Sequence, residues 1–135
     1  MLLQDDDLNS VTGRILDAAI TVHRHLGPGL LESIYAQCLR IELAARGMRF
    51  TVHRGVPIAY KGRPIDTCYR VDLVVEDMVV VEIKAVERLM PVHEAQTLTY
   101  LYLTGCRCGL LINFNVPRLM DGVRRLINAR IANQS

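Results

Sequence analysis

Asp72, Glu82 and Lys84 are ionisable residues within two largely apolar runs near the middle of this 135-residue chain. Asp72 lies in the run 70–75, and Glu82 and Lys84 lie in the run 78–84. Buried strands avoid ionised groups unless those groups are paired or bind something charged. A metal site is one explanation of the three residues. The alternative is a buried ion pair between Lys84 and either carboxylate, which would bind nothing.

The chemistry of the carboxylates indicates which metal such a site would hold. Asp72 and Glu82 offer hard oxygen ligands, and Glu32 and the backbone carbonyl of Ile83 are further candidate ligands. Oxygen ligands of this kind suit Mg²⁺ or Mn²⁺ rather than zinc. Such an ion stabilises charge on a phosphoryl oxygen and lowers the pKa of a bound water. Lys84 beside it would orient that water or stabilise the developing negative charge.

The register of the central hairpin decides whether these side chains meet. Two runs of β-branched and aliphatic residues flank Glu76-Asp77, which predicts a strand, a turn and a strand. Glu82 and Lys84 share a face because side chains alternate along a strand. A two-residue loop would pair Asp72 with Val81 and send it to the opposite face. A three-residue loop, commonly a type I turn with a bulge, pairs Asp72 with Glu82. The metal hypothesis therefore predicts the longer loop.

Two helices are expected before the hairpin. Apolar residues at helical spacing predict helices over 8–26 and 30–46, separated by Gly27-Pro28-Gly29 and with Gly47 as the final stop. The expected cap of the first helix is Asn9 or Ser10, and its inward stripe is Leu8, Val11, Ile15, Ala18, Val22 and Leu26. The inward residues expected for the second helix are Leu31, Ile34, Tyr35, Cys38, Ile41 and Leu43. Near the end of the first helix, His23 and His25 are expected to be solvated or to interact with the helix dipole.

Extended chain, a third helix, a strand and a last helix complete the expected order. The extended segments are 48–54, 56–60 and 63–66, with a turn at Lys61-Gly62. The third helix is expected over 91–104, the buried strand over 107–114, and the last helix from after Pro117 to about Asn128. His93, Gln96 and Tyr100 share a face of the third helix. If that polar stripe faces the hairpin, it lines the site.

Composition narrows the class of protein. Half of the residues are hydrophobic, which suits one folded domain of 135 residues. A net charge of +2 is compatible with nucleic acid but does not indicate it, and the absence of Trp argues against base stacking on an aromatic platform. Cys38, Cys68, Cys106 and Cys108 match no zinc spacing, so we expect reduced thiols. No run is long enough to span a membrane and the acidic start is unlike a signal peptide, so a soluble cytoplasmic protein is expected.

One segment of the second helix carries a family resemblance. Gly29-Leu30-Leu31-Glu32-Ser33-Ile34-Tyr35 fits the GxxExxY signature. From the first helix through Leu111-Ile112-Asn113-Phe114, the chain resembles the GxxExxY protein family, which is grouped with the PD-(D/E)XK nuclease-like superfamily.

The superfamily pattern carries over residue by residue. Glu32 matches the acidic residue of the early helix, and Asp72 matches the acid of the second core strand. Glu82-Ile83-Lys84 matches the E-x-K of the third strand, and Gln96 matches the glutamine of the following helix. One departure is Arg70-Val71 before Asp72, where the superfamily's name suggests a proline.

The resemblance implies a restriction-endonuclease-like αβββαβ core, in which helices flank a mixed central sheet. It also implies a Mg²⁺- or Mn²⁺-dependent nuclease that hydrolyses phosphodiester bonds in DNA or RNA. Asp72, Glu82, Ile83 and Glu32 would hold the metal, and Lys84 and Gln96 would complete the catalytic set. Two alternatives stay open: a non-catalytic module that binds nucleic acid or a protein partner, and an enzyme acting on another phosphate ester.

Any nucleic-acid contact is expected to be made mostly to phosphates, because no sequence-reading motif is present. The candidate arginines are Arg46, Arg49, Arg54, Arg63 and Arg70. A basic face is also expected on the last helix, from Arg118, Arg124, Arg125 and Arg130, although surface charge is the commoner role of such residues. Double-strand cutting by so small a domain would require a homodimer.

Overall fold

The structure is a computed structural model that describes residues 5–66 and 70–132, with the side chains of 7–66 and 70–130. Its helices are α1 (Asp5–Leu26), α2 (Glu32–Ala45), α3 (Pro91–Thr104) and α4 (Ala129–Ala132), with a 3-10 helix at Leu119–Gly122. Its strands are β1 (Phe50–Gly55), β2 (Ile58–Tyr60), β3 (Arg63–Ile65), β4 (Arg70–Val75), β5 (Val79–Lys84), β6 (Cys108–Asn113) and β7 (Val123–Ile127).

Five of the strands form one mixed sheet, in the order β1-β4-β5-β6-β7. β5 and β6 are parallel and are joined through α3, whereas the other neighbours are antiparallel. β2 and β3 pair with each other as a separate two-stranded hairpin. A mixed sheet with flanking helices confirms the α/β, restriction-endonuclease-like architecture that the sequence predicted.

Alternation along β4, β5 and β6 separates two apolar clusters, one on each face of the sheet. The larger cluster joins α1 and α2 to residues such as Leu73, Val81 and Leu110. The smaller cluster joins α3, through Tyr100 and Leu101, to Val74 and Val80. The three central strands are therefore covered on both sides, which explains their nearly continuous apolar sequences.

The inward face of α2 differs from the prediction. Tyr35 is fully buried, as expected, but Leu31 is 73% exposed and Ile41 is 66% exposed. Leu31 precedes the first helical residue, and Ile34 is also exposed. The buried stripe is Tyr35, Leu39 and Leu43, at intervals of four, because α2 meets its neighbours along one narrow face. Of the other residues expected inward, Leu43 is buried and Cys38 is half-buried.

The predicted last helix is wrong over most of its length. After a 3-10 turn the chain forms β7, which pairs antiparallel with β6 and closes that side of the sheet. Gly122 permits this turn, since a Cβ atom there would lie 2.2 Å from the carbonyl oxygen of Asn113. The basic helical face is therefore wrong too: Arg124 and Arg125 lie on the edge strand and Arg118 precedes the 3-10 helix.

The ends of α1 also need correction. The helix begins at Asp5, so Asn9 and Ser10 lie inside it rather than at its cap. His23 is buried instead of solvated, and its Nε2 lies 2.7 Å from the carbonyl oxygen of Val116. His25 is exposed, as expected, and bonds within its own helix to the carbonyl oxygen of Thr21.

Cys38, Cys106 and Cys108 are free thiols, and Cys68 lies outside the described residues. Within the described ranges, no helix combines the length and apolar content needed to cross a membrane.

Candidate metal and phosphodiester site

The hairpin between β4 and β5 has the longer of the two loops considered. Val75 pairs with Val79, which leaves three residues in the loop, and the pairs continue to Leu73 with Val81, so that Asp72 and Glu82 are the next residues of their two strands. The turn differs from a type I turn, because Glu76 and Asp77 both have positive φ, at 54° and 52°. The condition that the metal hypothesis placed on the hairpin is met.

Asp72 and Glu82 exchange hydrogen bonds with the main chain of each other's strand. The paired register runs from Val75↔Val79 to Leu73↔Val81. At the next position, the Asp72 N–H donates to Oε1 of Glu82 over 3.0 Å. The Ile83 N–H in turn donates to Oδ2 of Asp72 over 2.9 Å. The two carboxyl groups thus take the place of backbone acceptors and are fixed side by side at the end of the hairpin.

Burial and like charge make this pair costly to ionise. Glu82 is 4% exposed, and its pKa rises to about 8, first because of burial and second because of the neighbouring Asp72 carboxylate. Burial also raises the pKa of Asp72, although its hydrogen bond from Ile83 acts in the opposite direction. A bound cation would offset both of these costs, because it favours the charged form of the two groups.

Lys84 and Glu32 lie around the carboxyl end of β5. Burial raises the pKa of Glu32, while the Lys84 charge lowers it and the Asp72 charge raises it. The nearby Ala85 backbone also acts to lower the pKa of Glu32. Among the described residues, Lys84 makes no ion pair with Asp72 or Glu82, whose hydrogen bonds come from main-chain N–H groups. The close ion pair of the alternative hypothesis is therefore not formed.

Tyr35 positions the start of α2 and with it Glu32. Its hydroxyl donates to the carbonyl oxygen of Gly27 and accepts the Leu30 N–H over 3.1 Å. Its ring stacks on Phe114, with the ring centroids 4.7 Å apart. The tyrosine of the GxxExxY segment thus holds the loop before α2 against the end of β6, and its hydroxyl is occupied by backbone groups.

Asn113 fixes the loop that leaves β5, a role that the sequence analysis missed. Its Oδ1 accepts the Val86 N–H over 3.0 Å, and its Nδ2 donates to the Val86 carbonyl oxygen over 2.9 Å. Asn113 pairs with Lys84 in the parallel register and is 1% exposed. Its place at the end of a buried strand was visible in the sequence, but its partner was not, because 27 positions separate them.

The polar stripe of α3 contacts the sheet through Tyr100. Tyr100 is buried in the cluster that contains Val74 and Val80. Nε2 of Gln96 lies 3.2 Å from the Tyr100 hydroxyl, and among the described residues no hydrogen bond links Gln96 to the carboxylates. Nδ1 of His93 accepts the Met90 N–H over 2.9 Å.

The carboxylate oxygens of Asp72 and Glu82 suit a hard divalent cation for which the protein supplies only some of the ligands. Within the described part of the chain, no three His, Cys, Asp or Glu side chains form a metal-binding group. Asp72 and Glu82 each use one oxygen for the main-chain bond described above, so the second oxygen of each carboxylate can face a cation. Mg²⁺ is commonly held by one or two carboxylates and keeps water or phosphate oxygens for its other positions.

Comparison with known proteins identifies a superfamily for the chain. The family model of the PD-(D/E)XK nuclease superfamily matches residues 9–126. Searches of curated proteins and of solved structures gave no match.

Proposed function

The chain belongs to the PD-(D/E)XK nuclease superfamily, and on that premise we propose that it hydrolyses phosphodiester bonds in nucleic acid with Mg²⁺ or Mn²⁺. The observation that carries the proposal is the pair of neighbouring carboxyl groups, the half-buried Asp72 and the buried Glu82, each of which accepts a main-chain hydrogen bond from the other's strand. Two like charges placed together at low exposure are unfavourable unless a cation or a proton is shared between them.

Each residue of the site has a separate role in the proposal. Asp72 and Glu82 would hold the divalent cation, with the backbone carbonyl of Ile83 and the Glu32 carboxylate as additional oxygen donors. A cation held there supplies charge neutralisation for the phosphoryl oxygens and acidifies a water molecule. Lys84 would donate a hydrogen bond to the attacking water or to the phosphoryl oxygen that gains charge. Gln96 and Glu32 would support the site from the two helices that border it.

Metal binding is the first test. Calorimetric titration of the wild type with Mn²⁺ and with Mg²⁺ is expected to show saturable binding, and Asp72→Asn is expected to lose it. The substitution keeps an oxygen that can accept the Ile83 N–H, so the hairpin is retained. Asp77→Asn is the matched control, because Asp77 lies in the same hairpin but pairs with Arg54 at the surface. Equal binding by Asp72→Asn and the wild type would contradict the assignment of this carboxylate.

Turnover is the second test. Labelled duplex DNA, single-stranded DNA and RNA are incubated with Mg²⁺ or Mn²⁺, and the products are resolved on a denaturing gel. Lys84→Ala is expected to bind the metal like the wild type but to lose cleavage by at least about a hundredfold. Cleavage that persists in Lys84→Ala would contradict the role of this lysine. Saturable metal binding with no cleavage of any of these substrates would favour a binding module.

A further inference from the structure

β2, β3 and the Lys61-Gly62 turn between them form a projecting ribbon that we call the arm. Within residues 5–66 and 70–132, its two strands pair with each other and with no other strand. Every residue from 59 to 66 is exposed, including Tyr60 at 63% and Ile65 at 45%. A two-stranded hairpin without a packed face is marginally stable in water. Because its residues are exposed, the arm adds little to the hydrophobic core, and its surface is available for contact.

One face of the arm carries its large side chains. Tyr60 pairs directly with Arg63, and Ile58 pairs with Ile65. Residues that lie opposite each other in an antiparallel pair project on the same side, and intervals of two return to that side. The opposite face carries only the pair Ala59 and Pro64. The arm thus presents an aromatic ring and a guanidinium on one face, and small side chains on the other.

The positive charges of the arm are available to an anion. The Lys61 ammonium lies over the Tyr60 ring, 5.4 Å from its centroid. In the part of the chain that the structure describes, neither Lys61 nor Arg63 forms an ion pair. By contrast, Arg49 forms an ion pair with Glu76, and Arg54 forms one with Asp77. Both acidic residues lie in the loop between β4 and β5. The cation–π contact orders Lys61 without neutralising it.

The arm leaves the sheet beside the candidate site. Its first strand follows the end of β1, where Gly55 pairs with Arg70, the first residue of β4. Asp72 is two residues further along β4, or roughly 7 Å at the rise of a β-strand. The base of the arm and the two carboxylates therefore share one end of the sheet.

We propose that the arm binds the backbone of double-stranded DNA and holds it at the site, an inference that rests on the proposed nuclease function. Its unpaired cations match the charge of the phosphates, which dominate such binding. A two-stranded ribbon fits the major groove of B-DNA, about 12 Å wide, whereas the deep, narrow major groove of A-form RNA does not admit it. The small side chains of Ala59 and Pro64 keep one face of the ribbon thin.

The test measures binding separately from turnover. Fluorescence anisotropy with a labelled 20-base-pair DNA duplex, in EDTA and at several salt concentrations, gives the slope of log K against log [salt]. The double substitution Lys61→Ala/Arg63→Ala is compared with Arg14→Ala/Arg24→Ala, which removes the same charge from exposed positions on α1. The arm variant is expected to bind more weakly and to reduce the steepness of the slope by about 1.8, or 0.9 for each phosphate that is no longer neutralised. The control is expected to keep the wild-type slope.

Duplex RNA and single-stranded DNA of the same sequence are the comparison ligands. An equal loss of affinity for duplex RNA would overturn the assignment to DNA. An arm variant with the wild-type slope and affinity for duplex DNA would overturn the proposal that the arm binds DNA. Wild-type protein that binds no DNA at low salt would overturn it as well. Hydrolysis of bis(4-nitrophenyl) phosphate with Mn²⁺ is followed in parallel, because this small ester cannot span from the site to the arm. Absence of that hydrolysis would count against the catalytic proposal, while the DNA-binding comparison would still decide the arm.

Discussion

Glu82 links the candidate site to the stability of the fold through its proton. In the folded protein its pKa is about 8, whereas the unfolded chain has the ordinary value of 4.5. Between these two values the folded state binds more protons than the unfolded state. The free energy of unfolding therefore falls as the pH rises through this window, and this contribution is fully present only below about pH 4.5.

Glu82→Gln is expected to remove this pH dependence. The glutamine keeps an oxygen for the Asp72 N–H and carries no proton that titrates. The thermal midpoint of the wild type should fall relative to that of the variant between pH 5 and pH 8, as measured by circular dichroism without metal. Saturating Mg²⁺ should reduce the fall in the wild type, because a cation favours the ionised carboxylate. Parallel pH profiles for the two proteins would contradict the raised pKa.

Tyr35→Phe separates the hydroxyl from the ring. The variant keeps the stacking on Phe114 but leaves the Gly27 carbonyl and the Leu30 N–H without their partner. We expect a loss of about 1–3 kcal/mol in the free energy of unfolding, measured by urea denaturation. Tyr60→Phe is the control at an exposed ring and should change stability little. A Tyr35→Phe variant as stable as the wild type would mean that water replaces the hydroxyl at no cost.

At the scale of elements, β7 depends on the close approach of one glycine. Gly122→Ala would place a Cβ atom against the Asn113 carbonyl oxygen, in a backbone that cannot easily move because β6 is buried. We expect a loss of about 1–3 kcal/mol, the usual cost of overpacking, in urea denaturation. Gly13→Ala is the matched control on α1, where nothing lies within 4 Å, and should stabilise by about 0.5–1 kcal/mol. Stabilisation by both substitutions would contradict the tight turn.

Local patterns accounted for the elements that the sequence predicted well. α3 begins at Pro91, because proline suits the first turn of a helix. It ends before Gly105, which adopts the left-handed backbone conformation that glycine favours. β4 and β5 followed from β-branched runs around a turn. β7 could not be found in this way, because the apolar residues Val123, Leu126 and Ile127 also fit helical spacing. Pairing with β6, which is distant in sequence, decides the outcome there.

For the candidate site too, local patterns could be predicted from the sequence, whereas contacts between distant segments could not. The sequence predicted that Asp72 and Glu82 would meet if the hairpin loop had three residues, and the register has that loop. It could not predict that each carboxylate bonds to the main chain of the opposite strand. Nor could it predict the contact of Asn113 with Val86, because hydrogen bonds between distant segments leave no local pattern. The metal and the catalytic roles stay predictions.

At the scale of the whole molecule, one sheet carries an apolar cluster on each of its two faces. Leu101 belongs to the α3 side and Leu110 to the α1–α2 side, and both are fully buried. We expect the chain to behave as a single domain and to unfold in one step, whichever cluster is weakened. Leu101→Ala and Leu110→Ala are each expected to lower the free energy of unfolding by about 2–5 kcal/mol within one urea transition. Two separate transitions, only one of which shifts, would contradict the single domain.

The hydrogen bonds between carboxylates and main chain at the end of the hairpin also make the site observable without a substrate. The amide protons of Asp72 and Ile83 point at the same carboxyl groups that would bind the cation. In a ¹H–¹⁵N correlation spectrum, these two resonances should shift when either carboxyl group loses its proton or gains a metal. Two backbone signals thus give the hairpin an internal indicator of occupancy, which can be followed in a variant that cleaves nothing.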